Sequence, residues 1–192
     1  MVPAISRATI VAVAMTLSMF GVAACDLFDG SCETTGAIGA RYDEVGGPTG
    51  PLGDCTGDER GRDGGRQQDF EHGAIYWTPD SAAWEVHGLI GDKYEDIGGP
   101  PAALGWPVSG ELPTPNGVGQ FNRFQTGNIY HSPAGTHPVY GAILDEYARQ
   151  GYENGRLGFP TSGEESVPAG RRTNFERGWI EWNSTTGAIT TG

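Results

Sequence analysis

The chain has 192 residues, with 12 Lys+Arg against 24 Asp+Glu and a formal net charge of −12. Such an acidic balance disfavours nucleic acid or anionic lipid head groups as partners held through bulk charge. The 32 glycines and 13 prolines predict many turns and short elements, not long helices, in a chain long enough for one domain or a short repeat array.

The first element is an address, not part of a fold. After the single Arg7, the stretch ATIVAVAMTLSMFGVAA (Ala8–Ala24) is apolar and uncharged, and Cys25 follows at once. A basic start, an apolar centre and small residues before a break describe a secretory signal over residues 1–24. An apolar run of 17 residues is short for a membrane span. VAAC is similar to the lipobox of bacterial lipoproteins, which implies that Cys25 is diacylated and becomes the mature N-terminus. That mature chain carries 11 Lys+Arg against 24 Asp+Glu. Residues 25–35 then form a short lipid-anchored stalk. Of the remaining cysteines, Cys32 and Cys55, an exported pair reads as a disulfide. A metal site is the rival, but His72 is the nearest histidine and no CxxC spacing exists.

Beyond the stalk the chain repeats itself. GAIGARYDEVGGPTGPLGDC begins at Gly36, GLIGDKYEDIGGPPAALGWP at Gly88 and GAILDEYARQGYENGRLGFP at Gly141. FEHGAIYW, FQTGNIYH and FERGWIEW follow from Phe70, Phe124 and Phe175. The units are therefore 36–87, 88–140 and 141–192. In each, an i, i+4 pair (Ile38 and Tyr42, Ile90 and Tyr94, Ile143 and Tyr147) marks a short amphipathic helix. Val45 and Ile97 extend two of these stripes to i+7; Gln150 in the third unit predicts an earlier helix end. Gly46, Gly98 and Gly151 are natural left-handed C-caps. A corner follows at Leu52, Leu104 and Leu157, then a tight hairpin with Gly73, Gly127 or Gly178 at a position favouring positive φ. A final short strand ends each unit (AWEVHG, HPVYG). The fold class expected is α+β: a pseudo-symmetric array of three repeats, each a short helix, an LGxP corner and a small β-hairpin sheet. One unit cannot bury its own apolar face, so stacking must supply the core. ETTG before the first unit mirrors ITTG at the end of the last, so the ends could pair and close a ring, with an open arc as the alternative.

LGFP at Leu157, LGWP at Leu104 and the recurring order of the other motifs resemble the LGFP-repeat family. That family occurs in the cell envelopes of mycolic-acid-containing actinobacteria, often appended to mycolyltransferases or peptidoglycan amidases. The resemblance implies an envelope-binding module but names no ligand. The first unit departs from it, reading LGDC, with Asp54 for the aromatic and Cys55 in the proline slot. A Cys32–Cys55 bridge would hold that corner in place of proline's fixed φ.

No G-x-S-x-G elbow, H-E-x-x-H, Walker loop or GxGxxG after a strand is present, so no catalytic residue, cofactor or metal is expected. The histidines His72, His87, His131 and His137 fall at turns and strand ends. Glu59, Glu111 and Glu164 each lie seven residues after the corner leucine. They could be glycosidase acids, but three equivalent copies favour turn-closing carboxylates. GDERGRDGG (57–65) does not match the EF-hand order and is expected to be a solvated loop. Aromatics make the binding case: Trp77, His131 and Trp182 at one hairpin position, Tyr76 and Tyr130 just before, Trp106 and Phe159 at the variable corner position. Sugars stack on flat aromatic faces beside polar groups; the alternative is that these side chains fill the seams between units. The expectation is a non-catalytic protein at the outer face of the cytoplasmic membrane. Its partners would be its lipid anchor and a cell-wall glycan (arabinogalactan or peptidoglycan), or else an envelope enzyme held as on a scaffold; a glycan hydrolase is a third reading.

Overall fold

Each repeat opens with a nine-residue helix: α1 (Gly36–Glu44), α2 (Gly88–Asp96) and α3 (Gly141–Arg149). A computed structural model describes residues 32–192; the signal expected over 1–24, Cys25 and the expected stalk as far as Ser31 lie outside the described residues. The i, i+4 pairs are buried as their spacing requires. Gly46, Gly98 and Gly151 follow at φ 108°, 105° and 90°, left-handed positions where a Cβ would be strained. α3 is as long as the other two helices, against the expectation that Gln150 shortens it. The Gln150 amide donates to Glu146 Oε1 at 2.7 Å, so a polar side chain fills the last turn there.

Each corner then leads into a four-stranded antiparallel meander. The first sheet comprises β1 (Arg60–Arg62), β2 (Gly65–Phe70), β3 (Gly73–Trp77) and β4 (Trp84–His87). The second comprises β5 (Leu112–Pro113), β6 (Gln120–Arg123), β7 (Gly127–Ser132) and β8 (Gly135–Tyr140). The third comprises β9 (Glu165–Val167), β10 (Gly170–Phe175), β11 (Gly178–Asn183) and β12 (Ile189–Thr191). Each sheet therefore has a first strand that the motif pattern did not reveal. In the first unit that strand lies inside 57–65, so the segment is not merely a loop. It turns through Asp63 and Gly64, both at positive φ, into β2.

The hairpin glycines have a different reason from the one expected. Gly73 and Gly127 do not have positive φ; a Cβ at Gly73 would fall 2.6 Å from His87 Cα, and one at Gly127 would fall 2.6 Å from Leu104 Cδ2. Close approach, not φ, excludes a side chain. Gly178 combines φ +150° with a Cβ position 2.9 Å from Leu157 Cδ2.

Helices and sheets alternate along the array. α2 packs on β3 and β4 behind it and on β7 and β8 ahead; α3 packs likewise on β7 and β8, then β11 and β12. Two of the three cores straddle a seam. One joins Ala74, Tyr76 and Val86 of the first unit to Ile90, Tyr94, Leu104, Trp106, Phe124 and Ile129 of the second. The next joins Phe121, Tyr130 and Val139 to Ile143, Tyr147, Leu157, Phe175 and Ile180. The third core lies within the first unit, around Ile38, Tyr42, Leu52 and Phe70. Burying each corner leucine stabilises by about 2 kcal/mol.

The two ends do not pair. β12 occupies the fourth place of its own sheet, and the carbonyl of Glu33 accepts from Gln68 Nε2 at 3.1 Å. Asn122 Nδ2 bonds the equivalent carbonyl of Glu85 at 3.0 Å. Residues 33–35 thus stand where β4 stands before α2, and closure through ETTG is not what these residues form.

Candidate functional site: the seams between repeats

The corner is the most constant structure. Gly53, Gly105 and Gly158 adopt φ 71°, 67° and 73°, and each carbonyl accepts from the helix tyrosine: Tyr42, Tyr94 and Tyr147 at 2.8, 2.7 and 2.8 Å. Each of these rings also packs on the hairpin phenylalanine, with centroids 4.5–4.7 Å apart. Cys55, Pro107 and Pro160 bridge the same phenylalanines, so the first-unit cysteine occupies the proline slot. Cys32 and Cys55 are disulfide-bonded, with Cα atoms 5.9 Å apart.

Glu59, Glu111 and Glu164 do not close these turns. Glu59 accepts from Arg66 and Glu164 from Arg171 Nε at 3.3 Å. In the second unit Gln120 stands where the others have arginine, so no arginine reaches Glu111. Burial raises the Glu111 carboxyl above its usual range, opposed by His87 and His131 and reinforced by Glu85. The turn-closing acceptor is instead the residue after the hairpin phenylalanine. Glu71 accepts from the Asp54 N–H at 3.2 Å, Gln125 from Trp106 at 3.1 Å and Glu176 from Phe159 at 2.9 Å. The expected chemistry is present on another residue, because the acceptor must come from the strand that pairs with the corner.

Four of the seven candidate binding aromatics are seam residues, which corrects the expectation that they face a ligand. Tyr76, Tyr130, Phe159 and Trp106 are 1, 2, 4 and 8 % exposed. Trp106 covers Gly65 of the preceding sheet, where a Cβ would fall 2.8 Å from its Cζ2; Phe159 covers Gly119, 3.0 Å from Cε1. A buried ring has no face left for a sugar. Asp54 follows the same logic: no described unit precedes the first, and Asp54 is exposed. Trp77, His131 and Trp182 are half-buried. Trp77 and Trp182 flank the cores, and His131 Nδ1 lies 2.8 Å from Thr136 Oγ1.

The two seams differ. At the first, Tyr76 donates to Glu95 Oε1 at 2.5 Å, and Arg62 reaches the same carboxylate at 2.8 Å. Burial and that hydrogen bond push the Tyr76 phenol upward. Arg62 lies over Gly99, where a Cβ would sit 2.5 Å from Nη2. The ion pair fills the space above Gly99, while a cleft of 310 Å³ lined by Arg60, Asp69 and Tyr76 of the first unit and Asp92 and Glu95 of the second also crosses this seam.

The second seam opens into a cleft of 120 Å³ between Phe121, Arg123, Asn128 and Tyr130 of the second unit and Tyr152, Glu153 and Asn154 of the third. Tyr152 stands where the other repeats have Gly47 and Gly99, and all three share a left-handed φ: 54°, 56° and 62°. A tyrosine in that conformation costs about 1–2 kcal/mol relative to glycine. Its ring is 41 % exposed and stands edge-on to Tyr147 at 5.6 Å. Glu153 replaces Pro48 and Pro100 and is 6 % exposed; Asn154 Nδ2 donates to its Oε1 at 3.3 Å. The Arg123 guanidinium packs over Phe121 at 5.6 Å, and Asn128 Nδ2 bonds Tyr130 Oη at 2.9 Å. Sequence reasoning missed Tyr152 and Glu153. The signal was available: GYEN breaks the GGP shared by the other two units.

Among the described residues no helix is long and apolar enough to cross a membrane, and no cluster of His, Cys, Asp and Glu forms a metal site. The family model for the LGFP repeat matches residues 52–101, 104–155 and 157–192. Its frame begins at each corner leucine, so each of the first two matched units contains a sheet, the following helix and the seam between them. A search of curated proteins finds no match.

Proposed function

Since the chain belongs to the LGFP-repeat family, we propose that it is a non-catalytic, exported envelope protein whose stacked repeats hold cell-wall polysaccharide close to the cytoplasmic membrane. The observation that carries this reading is the second-seam cleft, where an exposed aromatic ring is surrounded by amides, a carboxylate and a guanidinium. That combination suits a polyhydroxyl ligand. The acidic surface is poorly suited to polyanions.

The anchor in this reading is diacylated Cys25. With Cys32 tied to the first corner, six residues, Asp26–Ser31, separate lipid from repeats, a reach of at most about 20 Å. The repeats would therefore meet inner wall polymer.

The test is co-sedimentation of the mature protein with purified arabinogalactan and peptidoglycan fractions across a salt series. Retention that survives moderate salt is expected, because stacking and neutral hydrogen bonds are weakly screened. Failure to sediment at any salt overturns the polysaccharide reading. Replacing Cys25 by Ala is expected to release the protein from the membrane fraction; retention there would overturn the anchor.

A further inference from the structure

We propose that the second-seam cleft is a subsite for one neutral sugar ring, stacked on Tyr152, with its hydroxyls bonded by Glu153, Asn154, Asn128 and Arg123. This rests on the polysaccharide reading above and specifies where, and by which chemistry, the ligand is held.

Four observations converge on this cleft. The third repeat departs from the other two at adjacent positions, Tyr152 for glycine and Glu153 for proline, and both line it. Tyr152 holds a left-handed conformation that glycine fills in the other units, and its ring is large, exposed and steadied by Tyr147. An ordinary surface turn has no need of such a residue.

Glu153 is the second observation. It is 6 % exposed and lines the cleft; the adjacent Asn154 amide donates to its Oε1 at 3.3 Å, and a carboxylate has acceptor capacity for further donors. Ligand hydroxyls can donate to it.

Arg123 is the third. Among the described residues most cations are paired, as in Arg41–Glu85, Arg60–Asp69, Arg62–Glu95 and Arg172–Glu181. Arg123 is exposed and lies over Phe121, and among the described residues no carboxylate pairs with it, leaving its fork available to hydroxyl oxygens.

The first seam is the fourth, as an internal comparison. There Arg62 and Glu95 fill the space above Gly99, and the 310 Å³ cleft that also crosses that seam has only the buried rings of Phe70 and Tyr76 in its lining. Of these two seam clefts, the second alone offers an exposed ring for stacking.

Charge and size set the ligand class. Glu153 opposes an anionic ring and Arg123 a cationic one, whereas both bond neutral hydroxyls. A volume of 120 Å³ admits several waters and not a whole saccharide unit, so the ring would rest on Tyr152 at the cleft mouth with its hydroxyls reaching inward.

The test uses the mature protein and the same wall fractions, with neutral and carboxylated oligosaccharides as competitors. Tyr152→Gly is expected to weaken wall retention at least tenfold without lowering the melting temperature, because glycine relieves the left-handed position. Tyr152→Phe is expected to keep retention, and Tyr152→Asn, which also tolerates this φ, to lose it. Glu153→Pro is expected to weaken retention as well. Neutral oligosaccharides should compete better than carboxylated ones. Wild-type-like retention by Tyr152→Gly and Tyr152→Asn would overturn the subsite while leaving the polysaccharide reading intact. Stronger competition by the carboxylated sugars would overturn the neutral assignment. Failure of the unmodified protein to bind any fraction would overturn both.

Discussion

Replacing Trp106 by alanine tests the seam as the source of stability. A buried tryptophan hides up to about 250 Å², and Trp106 keeps only 8 % of its surface. At about 25 cal/mol per Å², and allowing for the methyl that remains, the loss is about 4–5 kcal/mol. Large-to-small core substitutions of this kind measure about 3–5 kcal/mol. The void would open between Gly65 of the first sheet and Tyr76, whose ring lies 6.4 Å from that of Trp106. In a nearest-neighbour array, weakening one interface also lets the units unfold separately. Urea denaturation followed by far-ultraviolet circular dichroism should therefore show a lower midpoint and a broadened or two-step transition. Asp54→Ala, at the equivalent but exposed position, should stay within about 0.5 kcal/mol of wild type. A Trp106→Ala cost below about 1 kcal/mol, or one equal to that of Asp54→Ala, would refute the seam account.

Other perturbations probe the corner and the acids. Cys32→Ser with Cys55→Ser opens a bridge spanning 23 residues and should cost about 3 kcal/mol; a melting temperature indifferent to reductant would contradict this. Tyr94→Phe removes the 2.7 Å bond to the Gly105 carbonyl and should cost about 1–2 kcal/mol, with Tyr147→Phe costing the same and the two adding. Glu111 has a folded-state pKa raised chiefly by burial, so its penalty is absent in acid, develops as pH rises from its unfolded pKa through its folded one, and is constant above. Glu111→Gln should accordingly raise the melting temperature at pH 7 and lose that advantage below about pH 4; a pH-independent difference would show that the carboxyl's charge is not responsible.

Much of the fold was legible because three copies average out local ambiguity. The helix stripes, the left-handed C-caps and the corner leucines recur at fixed offsets, and each is a local requirement of backbone or periodicity. The first strands, β1, β5 and β9, were not legible. They are two or three residues long and exist by pairing with β2, β6 and β10, not through their own pattern. The turn-closing acids were misplaced for a related reason. Spacing from the corner selects Glu59, Glu111 and Glu164, whereas contact with the corner selects Glu71, Gln125 and Glu176 across a strand pairing.

The candidate site divides in the same way. The variable corner position was visible as Asp54, Trp106 and Phe159, but its purpose was not, since the residue it covers belongs to the preceding unit. Tyr152 and Glu153, which the repeat pattern did not single out, stand beside Asn128 and Tyr130 in the cleft, with Tyr152 in the left-handed region. The sequence by itself determined the repeat, its period and its α+β content, because helix faces, caps and corners obey neighbours a few residues away. Only the tertiary structure decided which aromatics are seams and which is exposed, and that β12 pairs with β11 and not with the ETTG segment. Those outcomes depend on what one unit presents to the next, about 20 to 40 residues along the chain, where no local periodicity reaches.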